Sequence, residues 1–137
     1  MKYYADTSFL ISVIRGDPAA LSAISRIDGP IVVPSVAYYE FYVGIEKMRL
    51  AGKDPSKEQR FIESLEVELP DRTVLQRAAE IRARSEAQGV MAGDMDYLVL
   101  GHAVANHGAV ITGDTDVKRI KEALNLDIRV ILLSDRI

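Results

Sequence analysis

Apolar and polar positions along the chain alternate between two periods, and the switches between them outline the elements. The opening stretch Met1–Ala5, rich in aromatics, predicts a short strand that ends on Asp6. Thr7 to Arg15 predicts a helix stopped by Gly16. Asp17-Pro18 marks a second helix start, and that helix runs to about Arg26, before Asp28-Gly29-Pro30. Ile31-Val32-Val33 reads as a buried strand. Pro34-Ser35 opens a long helix through about Leu50, with an expected stripe of Val36, Tyr39, Glu40, Val43, Gly44 and Lys47. A turn at 51–55 leads to a helix over Ser56–Leu65, so the two helices form a hairpin that could project from the body. Val67–Leu69 predicts a short strand, and Pro70-Asp71 caps a helix over Arg72–Gln88 that Gly89 ends. Gly93-Asp94 leads into an apolar helix, Met95–His107, with Asp94 as its expected N-cap and Gly108 as its expected C′ residue. Ala109–Thr112 is a strand, a helix follows from Gly113-Asp114 to about Leu124, and Ile128–Leu133 is the last strand.

Strands alternating with helices predict an α/β fold: a mainly parallel central sheet covered on both faces, in three α/β/α layers. No linker, repeat or low-complexity tract interrupts the 137 residues, so the expectation is one domain spanning 1–137.

The acids change the picture. Asp6 falls at the carboxyl end of a strand, where ligand sites gather in open α/β sheets. Glu40 lies on the helix after the second strand, Asp96 in the first turn of the apolar helix, and Asp114 just after the fourth strand. Each has an ordinary alternative. Asp6 and Asp114 suit N-caps, Asp96 and Asp116 suit first-turn acids that complement the helix dipole, and Glu40 suits a solvated face residue paired with Lys47. As a set they suggest a carboxylate cluster, which repels itself unless a cation compensates, and an all-oxygen site suits Mg²⁺ or Mn²⁺. Such a metal activates water against a phosphate ester. Thr7, Ser8 and Thr112 are candidates to orient ligands, or simply to cap. Gly93-Asp94-Met95-Asp96 offers two acids two residues apart; helical positions advance by roughly 100°, so both cannot face one site, and Asp96 is the expected member.

Composition mostly excludes. The chain is 48% hydrophobic and 27% charged with net charge −3, so no bulk basic field draws it to nucleic acid or membrane. Without cysteine there is no disulfide framework or zinc–thiolate site, which fits a reducing cytoplasm. No transmembrane run or signal peptide is evident, since Asp6 and Arg15 interrupt the only candidate segment. His102 and His107 lack metal-ligand spacing and are read as structural. Phosphate-loop, dinucleotide and nucleophile-elbow motifs are missing.

The ordered set of motifs resembles the PIN-domain family. Tyr4-Ala5-Asp6-Thr7-Ser8-Phe9-Leu10-Ile11 is similar to the family's first strand and acid, and Pro34-Ser35-Val36 through Glu40 to Gly44 to its second-acid helix. Asp96-Tyr97-Leu98-Val99-Leu100-Gly101-His102-Ala103 resembles the third acid and its helix, with Gly101 and His102 in place of the usual small pair. Ile111-Thr112-Gly113-Asp114-Thr115-Asp116 resembles the fourth, with Val117 where an aromatic is usual. The resemblance implies cleavage of single-stranded RNA by metal-activated water, with Asp6, Glu40, Asp96 and Asp114 as catalytic metal ligands. At this length it implies a VapC-like toxin of a toxin–antitoxin pair: a homodimer, inhibited by a small antitoxin protein. A PIN nuclease of RNA processing is the alternative within the family.

Around these motifs, Tyr38, Tyr39, Phe41 and Tyr42 suit a dimer or antitoxin surface or core packing, and core packing is the expectation for Tyr39. Lys47, Arg49, Lys53, Lys57 and Arg60 on the hairpin, and Lys118, Arg119 and Lys121 near Asp114, suit contact with an RNA backbone, or a solvated surface. A receiver-like phosphoacceptor domain is the competing class. It requires a second acid beside Asp6 and an acceptor Asp after a middle strand, and the chain has neither.

Overall fold

The computed structural model describes residues 1–134; the last three positions of the expected domain, 135–137, lie outside the described residues. The elements are β1 (Tyr3–Ala5), α1 (Thr7–Ile14), α2 (Pro18–Ser25), β2 (Ile31–Pro34), α3 (Ser35–Leu50) and α4 (Ser56–Glu63). They continue with β3 (Glu66–Glu68), α5 (Arg72–Ala87), α6 (Asp94–Ala105), β4 (Ala109–Thr112), α7 (Thr115–Leu124) and β5 (Arg129–Leu132). The strands form one sheet in the order β3-β2-β1-β4-β5. All four pairings are parallel, which tightens the expected "mainly parallel" sheet.

Alternation along the strands divides the core in two. Tyr3 and Ala5 of β1, with Val33, Ala109, Ile111 and Ile131, face α1 to α4, where Phe9, Leu10, Phe41, Ile45 and Ile62 complete one cluster. Tyr4, Val32 and Val110 point to the other face and meet Ile81, Tyr97, Leu100, Val117 and Ile120 of α5, α6 and α7. This is the three-layer arrangement expected. It follows from the period-two pattern of strands whose two faces are both covered. The hairpin of α3 and α4 is anchored by Phe41 and Phe61, whose rings lie 5.9 Å apart, and by the fully buried Ile62. Only its tip, around Leu50, stands clear of the body.

The crossovers β1→β2→β3 run along one face and β3→β4→β5 along the other. The direction of winding therefore reverses between β1 and β4. That gap at the carboxyl ends of β1 and β4 is the topological switch point, the place where open parallel sheets form a crevice. The order differs from the 2-1-3-4-5 of flavodoxin-like receivers, and the sheet thus disfavours that class on topology as well.

Three local expectations are corrected. The buried stripe of α3 is Ala37, Phe41 and Ile45 rather than the set containing Tyr39 and Glu40, and Tyr39 is 62% exposed. Aromatics surround this helix, so its periodicity is weak and the stripe could be read one position off. Asp94 does not cap α6: Gly93 occupies the N-cap with extended backbone, and Asp94 is the first helical residue. The left-handed residue after α6 is His107, with φ 51°, rather than Gly108. Gly108 is small for another reason, since a Cβ there would sit 2.8 Å from the Lys2 carbonyl oxygen. Among the described residues no helix is long and apolar enough to cross a membrane.

Candidate metal centre at the sheet switch point

Asp6 leaves β1 in extended conformation and caps α1, accepting a hydrogen bond from the Phe9 N–H at 3.0 Å. The capping alternative and the cluster are thus compatible, because Asp6 caps the helix through one oxygen and also lines the crevice. Ser8 Oγ donates to Asp6 Oδ1 at 2.7 Å, and Thr112 Oγ1 donates to Oδ2. The same Thr112 hydroxyl accepts from the Asp114 N–H at 2.9 Å, and Ser8 Oγ accepts from the Gly113 N–H at 2.8 Å. Two hydroxyls therefore lock the end of β1 to the end of β4.

Asp114 caps α7 with non-helical backbone (φ −97°, ψ 121°) and accepts from the Asp116 N–H at 2.8 Å. Because Asp114 stands outside the helix, the rule that positions two apart diverge does not apply to it and Asp116. Asp96 lies in the first turn of α6. One oxygen from each of Asp96, Asp114 and Asp116 lies within 4.8 Å of the others. Sequence alone reads Asp116 as a first-turn acid and leaves its part in the cluster open; the signal that finds it is the Asp114-x-Asp116 spacing across a helix start.

A cleft of about 300 Å³ opens over this cluster, lined among others by Asp6, Thr7, Ser8, Glu40, Asp96, Val99 and Asp114. Glu40 is exposed and reaches the cleft from α3, on the side facing α1. All four expected acids therefore line one cleft. Asp94 does not: it is turned outward, 2.8 Å from the Arg82 guanidinium. His107 is remote from the cleft, and His102 is buried against Glu68 at 2.6 Å.

The electrostatics are those of crowded carboxylates. Burial, then Asp114, Asp6, Asp116 and Glu40, push Asp96 up from 3.8 to about 7. Burial also pushes Asp6 up; the donors Thr112, Ser8 and the Phe9 N–H oppose it, and Asp114 adds to the rise. An all-oxygen donor set under this strain is chemically matched to a hard divalent cation, whose charge would remove the repulsion.

The PIN domain family model matches residues 3–123. The chain belongs to the PIN domain family. A curated relative, Ribonuclease VapC2 of Rickettsia felis, is 25% identical over 130 residues, which are 92% of this chain and 95% of that protein. The DNA-bound VapBC structure from Salmonella typhimurium contains a chain that superposes with TM-score 0.79 at 24% identity, covering 97% of this chain and 98% of its own. VapBC-5 of Mycobacterium tuberculosis, described as a member of the VapBC family of toxin–antitoxin systems, superposes with TM-score 0.72 at 20% identity, covering 96% and 98%. These structures share the PIN fold along nearly its whole length.

Proposed function

We propose that this PIN domain is a metal-dependent endoribonuclease acting on single-stranded RNA, and the toxin of a toxin–antitoxin pair. One observation carries the reading: Asp6, Glu40, Asp96 and Asp114 line the switch-point cleft, and Asp116 lies beside Asp96 and Asp114. Asp96, Asp114 and Asp116 would hold Mg²⁺ or Mn²⁺, with Asp6 beside them. When bound, the ion supplies an activated water and stabilises charge on a phosphodiester under attack. The chain's own groups prepare that site. Thr112 and Ser8 fix the orientation of Asp6, the Asp114 cap fixes the start of α7, and the apolar floor of Val36, Ala37 and Val99 limits solvent around the acids. Glu40 is available to orient water or a second ion. Lys57 on α4, in a groove that Glu40 also lines, would contact a phosphate of bound RNA, whereas Lys118 and Lys121 line the pocket at His107, remote from the cleft.

The relatives support the biological setting, since one is named a ribonuclease and others were solved as VapBC. A small antitoxin is the partner this setting implies. A second copy would cover the exposed face of α3 formed by Tyr39, Tyr42, Val43 and Leu50, which Glu46 and Lys47 also line, since Leu50 is 90% and Tyr39 62% exposed.

Purified protein should cleave single-stranded RNA with Mg²⁺ or Mn²⁺ and stop with chelator. Asp6→Asn should be folded and inactive. Undiminished cleavage by Asp6→Asn would overturn the mechanism. RNA processing in place of toxicity would show as harmless expression of active protein without its neighbour gene.

A further inference from the structure

The acids of the cleft come from two elements and cannot hold those elements together. Asp96 enters from the first turn of α6, whereas Asp114 and Asp116 enter from the start of α7, and three carboxylates within 4.8 Å push these walls apart. One side chain ties the walls together. Arg119 Nη2 lies 3.1 Å from Asp116 Oδ1 and donates to the Met91 carbonyl oxygen at 2.8 Å. A guanidinium nitrogen of this kind carries two hydrogens, so both contacts can be made at once.

The segment around Met91 is already held from the core on either side. The Ala92 N–H donates to the buried Tyr97 hydroxyl at 3.2 Å, and Ser85 Oγ donates to the Val90 carbonyl. Among the described residues, Arg119 supplies the hydrogen bond that reaches this segment from α7. It therefore acts between the two acid-bearing walls.

We infer that Arg119 is a positioning residue for the divalent cation: it orients Asp116 and, through the Met91 carbonyl, fixes the segment that leads into α6, on whose first turn Asp96 lies. The inference rests on the metal-dependent reading above. Its sign makes it testable. A cation beside an acidic site repels a metal ion, so if charge alone mattered, removing Arg119 would tighten binding. If position matters more, removal weakens it.

The experiment is Mn²⁺ titration of the full chain by calorimetry, beside melting in chelator to verify folding. Arg119 is 55% exposed at its side chain, so Arg119→Met should fold. It should bind Mn²⁺ about tenfold more weakly, the usual cost of losing a group that orients a metal ligand. Arg119→Lys, which keeps charge and donors, should recover most of the loss. Arg119→Gln should shift affinity in the same direction as Met, and it carries the comparison should the Met variant fail to fold. In an Asp116→Asn background the Arg119→Met change should cost much less, because its partner is gone. Equal or tighter binding by Arg119→Met overturns the inference, as does an undiminished cost in the Asp116→Asn background. Wild-type protein that binds no Mn²⁺ overturns the functional reading and this inference with it. Wild-type binding matched by Arg119→Met overturns the inference alone.

Discussion

Replacing Asp96 by Asn should stabilise the metal-free protein and disable the metal-bound one. The carboxyl of Asp96 is raised from 3.8 to about 7, chiefly by burial and then by its acidic neighbours. At about 1.4 kcal/mol per pH unit, that rise corresponds to roughly 4 kcal/mol if the site were dry. Asp96 is only half-buried, so solvent screening reduces this to about 1–2 kcal/mol. The folded-state value lies above the unfolded one. Between pH 4 and 7 the folded protein therefore holds a proton that the unfolded chain has lost, and wild-type stability falls as pH rises through that window. Asp96→Asn removes this titration. At pH 8 in chelator it should melt roughly 4–7 °C above wild type, from the entropy of unfolding a chain of this size. The difference should shrink towards pH 4. Saturating Mn²⁺ reverses the order, because an ion at about 100 times its Kd adds about 2.7 kcal/mol to the state that binds it. Scanning calorimetry at several pH values, with chelator and with Mn²⁺, reads both effects. An Asn variant less stable than wild type in chelator at pH 8, or equally stabilised by Mn²⁺, would refute the reasoning.

Other expectations follow from single contacts. Asp94→Ala removes only an exposed pair with Arg82 and should change stability by less than about 0.5 kcal/mol while keeping RNA cleavage, read by melting and turnover. Glu68→Gln should cost about 2–3 kcal/mol in denaturant unfolding, since Glu68 accepts from Tyr4 and Lys2 at 3.1 Å and lies 2.6 Å from the buried His102. Burial works against the Glu68 charge, but His102, Lys2 and Tyr4 outweigh it and hold the carboxyl below its usual value. Its contribution is therefore complete above about pH 4.3 and is lost as pH falls through the lowered value, a slope that the Gln variant should lack. Gly101→Ala should destabilise by about 1–3 kcal/mol on thermal melting, because the added methyl would lie 2.7 Å from the Val74 carbonyl oxygen where α5 crosses α6.

Much of this architecture is legible in the residues. The strands and helices follow from period and punctuation, with ends shifted by a residue or two. Asp6, Glu40, Asp96 and Asp114 each stand where a strand end or a nearby helix brings them to one cleft. What sequence alone obscured was decided by backbone geometry and packing. Asp116 joins Asp96 and Asp114 because Asp114 is extended rather than helical. Gly93 displaces Asp94 as cap because its own extended backbone starts the helix. Tyr39 is exposed because Ala37, Phe41 and Ile45 satisfy the core one position away on a helix apolar on several sides. Gly101, unusual beside the family pattern, is explained only by the close approach of α5.

The most direct test of the central claim is anomalous diffraction from crystals of the full chain grown with Mn²⁺. The account predicts a peak in the switch-point cleft, about 2.0–2.2 Å from carboxylate oxygens of Asp96, Asp114 or Asp116, and its loss in Asp96→Asn. A protein that cleaves RNA with Mn²⁺ bound elsewhere, and none among these acids, would contradict it.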